Sequence, residues 1–338
     1  MTVSINGTGG LTFSDSSIQN TAATGFGFKN RIINGAMMID QRNAGASVTI
    51  TTNTYTIDRW QGISPTGSSK FSIRQMNSAT SSLSNYEAGS APDGFINSLK
   101  VTSLTALSLG STDRYAVYQG IEGLNIADLG WGTSSAKTVT LSFWVKCSLT
   151  GTFGGALIND DGNYSYPFTY TISAANTWEQ KTVTISGPTS GTWKTTNITG
   201  INIHIGLSIG STYQTTGNQW TTGNYRSPTG CVSVLGTNGA TFYITGVQLE
   251  KGSTATSFDY RPYGTELQLA QRYYFRDSAV SSLVYNGSGS YSSYQFKVSM
   301  RAAPTVTAIY TANSVSTEGF YSQSGGVTGS TVTASAEL

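Results

Sequence analysis

The sequence predicts an all-β protein with a central jelly-roll or β-sandwich domain, and three observations carry that prediction. Apolar and polar residues alternate in several short segments, which is the period-two pattern of half-buried strands. Gly occurs 39 times in 338 residues and separates those segments, as expected for frequent tight turns. No helical pattern of ten or more residues accompanies them. The expected architecture is therefore a sandwich or jelly roll.

The alternation is clearest in three segments, which we expect to be strands that bury one face. Segment 137–148, KTVTLSFWVKCS, places five apolar residues on one face: Val139, Leu141, Phe143, Val145 and Cys147. Segment 201–209, INIHIGLSI, does the same with Ile201, Ile203, Ile205, Leu207 and Ile209. Segment 181–187, KTVTISG, adds Val183 and Ile185.

A fourth segment, TFYITGVQLE at 241–250, changes phase along its length. Phe242 and Ile244 share one face, whereas Val247 and Leu249 have the opposite parity. One extra residue would bring both pairs to the same face, so the pattern predicts a β-bulge at Gly246.

Helices are expected only as short pieces. One candidate is Asn125–Leu129 and the other is Thr265–Tyr274. In the second, the helical period places three residues on one side: Leu267, Ala270 and Tyr274.

Composition and patterning divide the chain into three parts. Residues 1–30 are rich in Gly, Ser and Thr and bury too little to fold alone, so we expect an attachment segment that orders on a partner, with a loose tail as the alternative. Residues 31–262 carry the sandwich. Residues 263–338, with QFKVSM and PTVTAIY, form a small β unit that is marginal alone. Trimerisation would supply the core that this unit lacks.

Charge and cysteine content exclude several classes of protein. The net charge is +2 without a basic run, so no nucleic-acid partner is expected. No apolar run approaches the roughly 20 residues that span a bilayer, and no secretory signal is visible at the N-terminus. Cys147 and Cys231 exclude a disulfide framework, while a single bond between them stays open.

The sequence offers no catalytic set. His204 is the sole histidine and stands between Ile203 and Ile205, which favours an outer sheet face over a catalytic or metal site. Asp160 and Asp161 form the acidic pair of NDDGNYSYP, which is typical of a solvated hairpin tip. A calcium site at this tip is the open alternative. We therefore predict no catalytic residue, no metal ligand and no cofactor.

Sugar binding does not require a catalytic set. It requires flat aromatic faces that stack on the sugar ring, together with amide or guanidinium groups that bind its hydroxyls. A long loop at 211–230 and the hairpin tip that follows Asp161 carry such residues. The predicted glycan-binding set is Trp220, Tyr225, Arg226, Tyr213, Tyr164, Tyr166 and Asn163. The alternative is that these aromatics pack on the sandwich or at a subunit contact. Trp60 and Trp144 lie in patterned segments and are expected to be structural.

Two segments resemble a known family. ITGVQLEKGSTATSFDYRPYGTELQLAQRYY at 244–274 resembles the end of the carbohydrate-binding-like jelly roll of phage tail-fibre and other virion appendage proteins. NRIINGAMMIDQRNAG at 30–45 resembles the start of the same domain, and LSFWVK its central strand. Ala270 stands where that family often has Cys, so this position supports no thiol or metal role.

The resemblance implies a homotrimeric virion fibre with a distal domain suited to contact with the host surface. Because no secretory signal is visible, we expect the protein to be made in the host cytoplasm. The bracketed domain, the aromatic-rich loops and the missing catalytic sets predict that it binds host surface glycan without catalysis. Other virion structural proteins would hold its N-terminal segment. One alternative is a purely structural head, neck or baseplate fibre with no glycan affinity. A depolymerase tailspike is less favoured, because the sequence has neither a β-helix repeat nor placed carboxylates.

Overall fold

The computed structural model describes residues 28–277, 291–308, 312–323 and 331–338, together with three short strands before them. These strands pair antiparallel in chain order: β1 (Ile5–Asn6), β2 (Gly10–Thr12) and β3 (Ile18–Gln19). The rest of the predicted attachment segment up to residue 27 lies outside the described residues, and its docking role stays a prediction.

The central part of the chain is built almost entirely from strands. They are β4 (Val48–Thr49), β5 (Thr54–Tyr55), β6 (Gln61–Ile63), β7 (Phe71–Asn77), β8 (Asn97–Ser103), β9 (Arg114–Glu122), β10 (Val139–Cys147), β11 (Gly151–Asn159), β12 (Tyr164–Ile172), β13 (Glu179–Ile185), β14 (Thr199–Ile209), β15 (Gln214–Thr215), β16 (Thr221–Thr222), β17 (Ser227–Pro228) and β18 (Thr241–Lys251). Short 3₁₀ turns occur at Gly123–Asn125, Ala127–Leu129, Ser211–Tyr213 and Val234–Gly236.

Two antiparallel sheets face each other across one apolar core. The six-stranded sheet has the order β13-β10-β18-β8-β7-β4, and the seven-stranded sheet has the order β16-β12-β11-β14-β9-β6-β5. Aromatic contacts join the two layers, as where the ring of Phe143 on β10 meets that of Tyr170 on β12 edge-on at 5.0 Å. The predicted all-β sandwich is confirmed.

The inward faces of the strands follow the predicted alternation with one exception. All five residues predicted to face inward on β10, and the first four of those on β14, are fully buried in the core. Ile209 is the exception, because it packs on the outer face of the seven-stranded sheet with Ile63, Ala116 and Tyr118. The pairing of β14 with β9 shifts register between Gly206 and Ser208, and this irregularity reverses the parity that the sequence predicts for Ile209.

The predicted bulge is present in β18. The pairing of β18 with β10 shifts register opposite Phe143, and Gly246 has a φ of +62°. A Cβ atom at this position would lie 2.6 Å from the Phe95 ring, so both conformation and space favour glycine. On either side of the bulge Ile244 and Val247 both reach the core.

Helical structure differs in detail from the prediction. The segment expected at Asn125–Leu129 forms two 3₁₀ turns instead of one short helix. The second candidate is helix α1 (Tyr263–Gln271), and Tyr274, which was expected on its face, already belongs to the next strand. Within the described part of the chain, no helix combines the length and the apolar character that crossing a membrane requires.

The C-terminal part forms two small sheets around a second core. Its strands are β19 (Tyr274–Asp277), β20 (Tyr291–Gln295), β21 (Thr305–Thr307), β22 (Ala312–Asn313), β23 (Gly319–Gln323) and β24 (Val332–Ser335). They pair in the orders β19-β24-β21 and β20-β23-β22. Phe296 and Met300 enter the core from the loop that follows β20. The domain boundaries and the trimer stay predictions.

The two segments that carry the family resemblance pack against each other. The Asn30 amide donates to the Val247 carbonyl at 3.1 Å and accepts from the Leu249 N–H at 3.1 Å. The backbone adds bonds between the same segments, including that from the Arg31 N–H to the Leu249 carbonyl at 3.0 Å. The side chain of Asn30 therefore satisfies buried backbone groups and fixes the chain where it enters the sandwich.

Candidate functional site

A cavity of about 340 Å³ opens on the outer face of the seven-stranded sheet. The alternation of β14 explains its lining, because Ile201, Ile203 and Ile205 point into the core and turn Asn202 and His204 outward. The lining residues are Asn53, Gln61, Ile63, Arg114, Tyr118, Ile158, Asn159, Asp160, Gly162, Thr199, Asn202, His204, Arg226 and Leu338. Amides, hydroxyls and guanidinium groups therefore dominate the surface.

Neighbouring strands supply most of these groups, so the sheet holds them in fixed positions. The Tyr118 hydroxyl on β9 donates to Asn202 Oδ1 on β14 at 2.6 Å. Asn202 Nδ2 donates to the Asn159 carbonyl at the end of β11, at 3.2 Å. Burial raises the pKa of Tyr118 to about 12, so its hydroxyl remains a donor at neutral pH.

The loop between β16 and β17 closes one side of the cavity through Arg226. A guanidinium Nη1 of Arg226 lies 2.5 Å from His204 Nε2, and the guanidinium also lies 5.9 Å from the centre of the Tyr213 ring. Burial, with Arg226 and Arg114 nearby, holds the pKa of His204 well below its usual range. His204 is therefore a neutral imidazole that fixes Arg226 without neutralising its charge.

The structure divides the predicted glycan-binding set. Arg226 lines the cavity, and Tyr213 lies behind it, with the Arg114 guanidinium 5.0 Å from its ring centre. Asn163 is at the hairpin tip, where its side chain accepts from Asn159 Nδ2 at 2.8 Å. Tyr225 is half-buried beside the same hairpin, with its N–H 3.3 Å from Ser165 Oγ. Asn163 and Tyr225 do not line the cavity.

The other three predicted residues belong to an aromatic cluster at the edge of the core. Trp220 stacks on Tyr164 at 5.6 Å with an interplanar angle of 4°, and meets Tyr166 edge-on at 5.2 Å. Trp131 and Trp193 complete the cluster at 5.5 and 5.3 Å from Trp220. The indole N–H of Trp220 donates to the Ser186 carbonyl at 2.6 Å. This arrangement matches the alternative in which the aromatics pack on the sandwich.

Replacing Trp220 with Ala is expected to lower the free energy of unfolding by about 2–3 kcal/mol, because a half-buried ring and its stacking contact are lost. Glycan affinity is expected to stay within about twofold. Urea unfolding followed by circular dichroism measures the first effect, with Trp220→Phe as the matched control. Unchanged stability together with lost glycan binding would show that Trp220 binds glycan, as the sequence predicts, and does not serve packing.

Sequence reasoning placed no weight on most of the residues that form the cavity. Gln61, Arg114, Tyr118 and Asn202 carried no motif, and His204 was expected on an outer sheet face, where it does lie. One signal was available in INIHIGLSI, since Asn202 and His204 are polar residues at the outward positions of an otherwise apolar strand. Two polar side chains at successive outward positions of one strand indicate a surface that can bind a ligand.

Acidic and metal-ligating side chains are sparse among the described residues of the cavity. Asp160 has the one side-chain carboxylate among its described lining residues, whereas most glycosidases use two such side chains. Among the residues that the structure describes, no three His, Cys, Asp or Glu side chains gather as a metal site. Asp161 pairs instead with Lys194 at 3.3 Å. Cys147 and Cys231 are both free thiols.

Comparison with known proteins gives similarity of shape without close sequence relatives. No protein-family model matches the chain, and no curated protein matches it. The enzymatically active domain of tailspike protein 4 from bacteriophage CBA120 is similar at 13% identity and a TM-score of 0.32, over 66% of this chain and 21% of that chain. This chain therefore spans about a fifth of the tailspike chain.

Two binding modules are similar over their whole length. TmCBM61, solved in complex with beta-1,4-galactotriose, has 11% identity and a TM-score of 0.31, over 67% of this chain and 100% of the module. The family 11 carbohydrate-binding module of the Clostridium thermocellum cellulase Lic26A-Cel5E has 12% identity and a TM-score of 0.27, over 63% and 99%. At such values the function must be argued from the cavity itself.

Proposed function

We propose that this chain is a non-catalytic glycan-binding protein of a phage virion, a tail fibre or tail-tip fibre that binds host surface glycan. The glycan would lie in the cavity on the outer face of the seven-stranded sheet. That cavity is the observation that carries the proposal, because its volume of about 340 Å³ suits one or two sugar rings.

The lining chemistry supports a sugar ligand over an apolar one. Gln61, Asn202 and Asn53 offer amide groups, and Tyr118 offers a hydroxyl that is already held by Asn202. Sugar hydroxyls donate and accept at once, and amides match them in both roles. Gln61, Tyr118 and Asn202 lie on strands that hold them before the ligand arrives, which reduces the entropy lost on binding.

The single lining carboxylate supports binding without hydrolysis. Asp160 has no second side-chain carboxylate opposite it among the described lining residues. Both glycosidase mechanisms require an acid and a second carboxylate that acts as base or nucleophile. The cavity therefore has the groups for recognition but lacks the second carboxylate for bond cleavage.

The assignment to a virion rests on the resemblance of segments 30–45 and 244–274 to phage fibre proteins. The N-terminal segment would then dock on other virion proteins, and the C-terminal unit would contribute to a homotrimer.

The test is binding of the full-length protein to intact host cells and to cells stripped of surface polysaccharide. We expect saturable binding that stripping removes. The double variant Gln61→Ala, Asn202→Ala is expected to bind about tenfold more weakly, because two hydrogen-bonding amides are lost. The matched control is Gln180→Ala, Thr182→Ala, which alters exposed residues of β13 in the other sheet and should bind normally.

Two outcomes would contradict the proposal. A folded protein that binds neither kind of cell would favour the structural head, neck or baseplate fibre. Oligosaccharide released from the polysaccharide during the assay would establish hydrolysis and overturn the non-catalytic assignment.

A further inference from the structure

Two cationic side chains in the cavity form no ion pair with an Asp or Glu side chain in the part of the chain that the structure describes. Arg114 begins β9 and Arg226 lies on the loop opposite, and neither forms an ion pair with any described carboxylate. The Nε atom of Arg226 is buried and has no hydrogen-bond partner among the described residues. Burial and the nearby Arg114 lower the pKa of Arg226 to about 10. An unpaired guanidinium in this position is costly unless a ligand compensates it.

The groups around these two arginines do not neutralise them. His204, which contacts Arg226, is a neutral imidazole for the reasons given above. Tyr213 offers each guanidinium only the face of its ring. The Asp113 carboxylate, next to Arg114 in the chain, accepts from the Gly110 N–H at 2.8 Å and does not line the cavity.

Asp160 has the one side-chain carboxylate among the described lining residues, and it lies at the exposed hairpin tip. The other nearby carboxylates are engaged elsewhere, since Asp161 pairs with Lys194 and Glu337 pairs with Arg42. Among the described lining residues, two guanidinium groups therefore stand against one side-chain carboxylate. Partial exclusion of water strengthens their effect on a bound ligand.

Building on the proposed glycan-binding function, we propose that the cavity selects an acidic sugar whose anionic group binds between Arg114 and Arg226. Guanidinium groups bind carboxylate and phosphate oxygens through paired N–H donors, so a uronate or a sugar phosphate has the required chemistry. The ring hydroxyls would contact the amides of Gln61 and Asn202, and Asp160 would accept from a hydroxyl at the rim.

The test uses uronate-containing polysaccharides, each paired with its carboxyl-reduced form. Reduction converts the carboxylate to a primary alcohol and leaves linkage and stereochemistry unchanged. A second arm uses phosphate-bearing polysaccharides before and after dephosphorylation, which distinguishes the two sources of the anion. Titration calorimetry with the full-length protein is expected to give about tenfold to hundredfold weaker binding of the neutral form in one arm.

Two variants, which are expected to change the acidic-to-neutral affinity ratio in opposite directions, test whether the anionic group binds at the arginines. Arg114→Gln is expected to lower the acidic-to-neutral affinity ratio about tenfold, because the guanidinium that binds the anion is lost while Gln61 and Asn202 remain. Asp160→Asn, at an exposed position without an ion pair, is expected to raise the same ratio about twofold to fivefold. A merely structural role for either residue would move both affinities together.

The outcomes separate this inference from the function on which it rests. Equal binding of acidic and neutral forms would overturn the acidic-sugar inference and leave glycan binding intact. Binding of no polysaccharide by the folded protein would overturn both. A loss of affinity in Arg114→Gln that is equal for both forms would also contradict the inference.

Discussion

Replacing Arg59 with Met is expected to lower the free energy of unfolding by about 3–5 kcal/mol. Arg59 is 1% exposed and ion-pairs with Glu337, whose side chain is 6% exposed. Its other guanidinium nitrogen donates to the Gly120 carbonyl at 2.5 Å, and its charge lies 3.7 Å from the centre of the Tyr273 ring. The substitution removes the ion pair, the hydrogen bond and the aromatic contact together.

The size of the effect follows from what remains after the substitution. Glu337 keeps Arg42 at 2.7 Å, but it loses the partner buried beneath it. The Gly120 carbonyl loses the donor that Arg59 supplies. A buried carboxylate that loses one of its two guanidinium partners and a buried acceptor that loses its donor are each costly, whereas Met restores only apolar packing. Because Glu337 and Tyr273 belong to the C-terminal part, the loss should fall on its attachment to the sandwich.

Equilibrium urea unfolding, followed by tryptophan fluorescence and by circular dichroism, measures this effect. All six tryptophans precede residue 221, so fluorescence reports the sandwich and circular dichroism reports the whole chain. Arg74→Met is the matched control, since Arg74 donates only to the carbonyls of Gly45 and Ser84, and it should cost about 1 kcal/mol. Equal effects of the two substitutions would show that the cost of desolvating Arg59 and Glu337 cancels the free energy gained from their ion pair.

The strands of the sandwich could be predicted because local pattern determines them. Each inward residue of β10 is buried as its parity requires, and the phase change at Gly246 marked a real bulge. Parity failed at Ile209, where a register irregularity in the pairing of β14 with β9 reverses the face. Such an irregularity depends on the partner strand, which the local sequence does not identify.

The site was predicted less completely because its residues come together only in the folded chain. Arg226 was found from the composition of its loop, whereas Arg114 and Gln61 stand in unremarkable contexts on β9 and β6. Trp220 was placed in the site because loops that carry aromatics often bind ligands. Its stack on Tyr164 shows that the loop folds back and uses this ring for packing.

Buried charges were the least predictable feature, since their partners are distant in sequence. Arg59 lies in TIDRW, and its partner Glu337 is 278 residues away. Arg59, Glu337 and Tyr273 form the joint between the sandwich and the C-terminal part. The same joint contains Glu122, which accepts from the Tyr273 hydroxyl at 2.6 Å and pairs with Arg272 at 2.8 Å. Charged residues are usually exposed, so composition alone assigns such residues to the surface.

Replacing Asp58, which lies in this joint, is expected to change the stability of the protein by an amount that depends on pH. Its side chain is fully buried, and burial raises its pKa from 3.8 to about 7. Gln41 donates to it at 2.5 Å, and Arg42 lies 3.5 Å away, but these do not offset burial. The variant Asp58→Asn is expected to be more stable than the parent protein by about 4 kcal/mol at pH 8.

The sign follows from proton binding in the two states. Between pH 4 and 7 the folded protein holds the Asp58 proton more tightly than the unfolded chain, so the free energy of unfolding contributed by this group falls as pH rises. The advantage of Asp58→Asn should therefore be small at pH 4, grow up to pH 7 and stay constant above it. His204 acts in the opposite direction over part of this range, but it is present in both proteins and cancels in their difference.

Urea unfolding of both proteins at pH 4, 5.5, 7 and 8 measures this difference directly. Asp93→Asn, at an exposed position, is the matched control and should change stability equally little at every pH. A difference between Asp58→Asn and the parent that is the same at pH 4 and pH 8 would show that Asp58 is ionised in the fold at both. In that case the interactions of the Asp58 carboxylate with Arg42 and Gln41 would outweigh the cost of burying it. The charged groups of the joint would then stabilise the attachment of the C-terminal part. A difference that grows with pH would instead show that the joint keeps Asp58 protonated up to neutral pH.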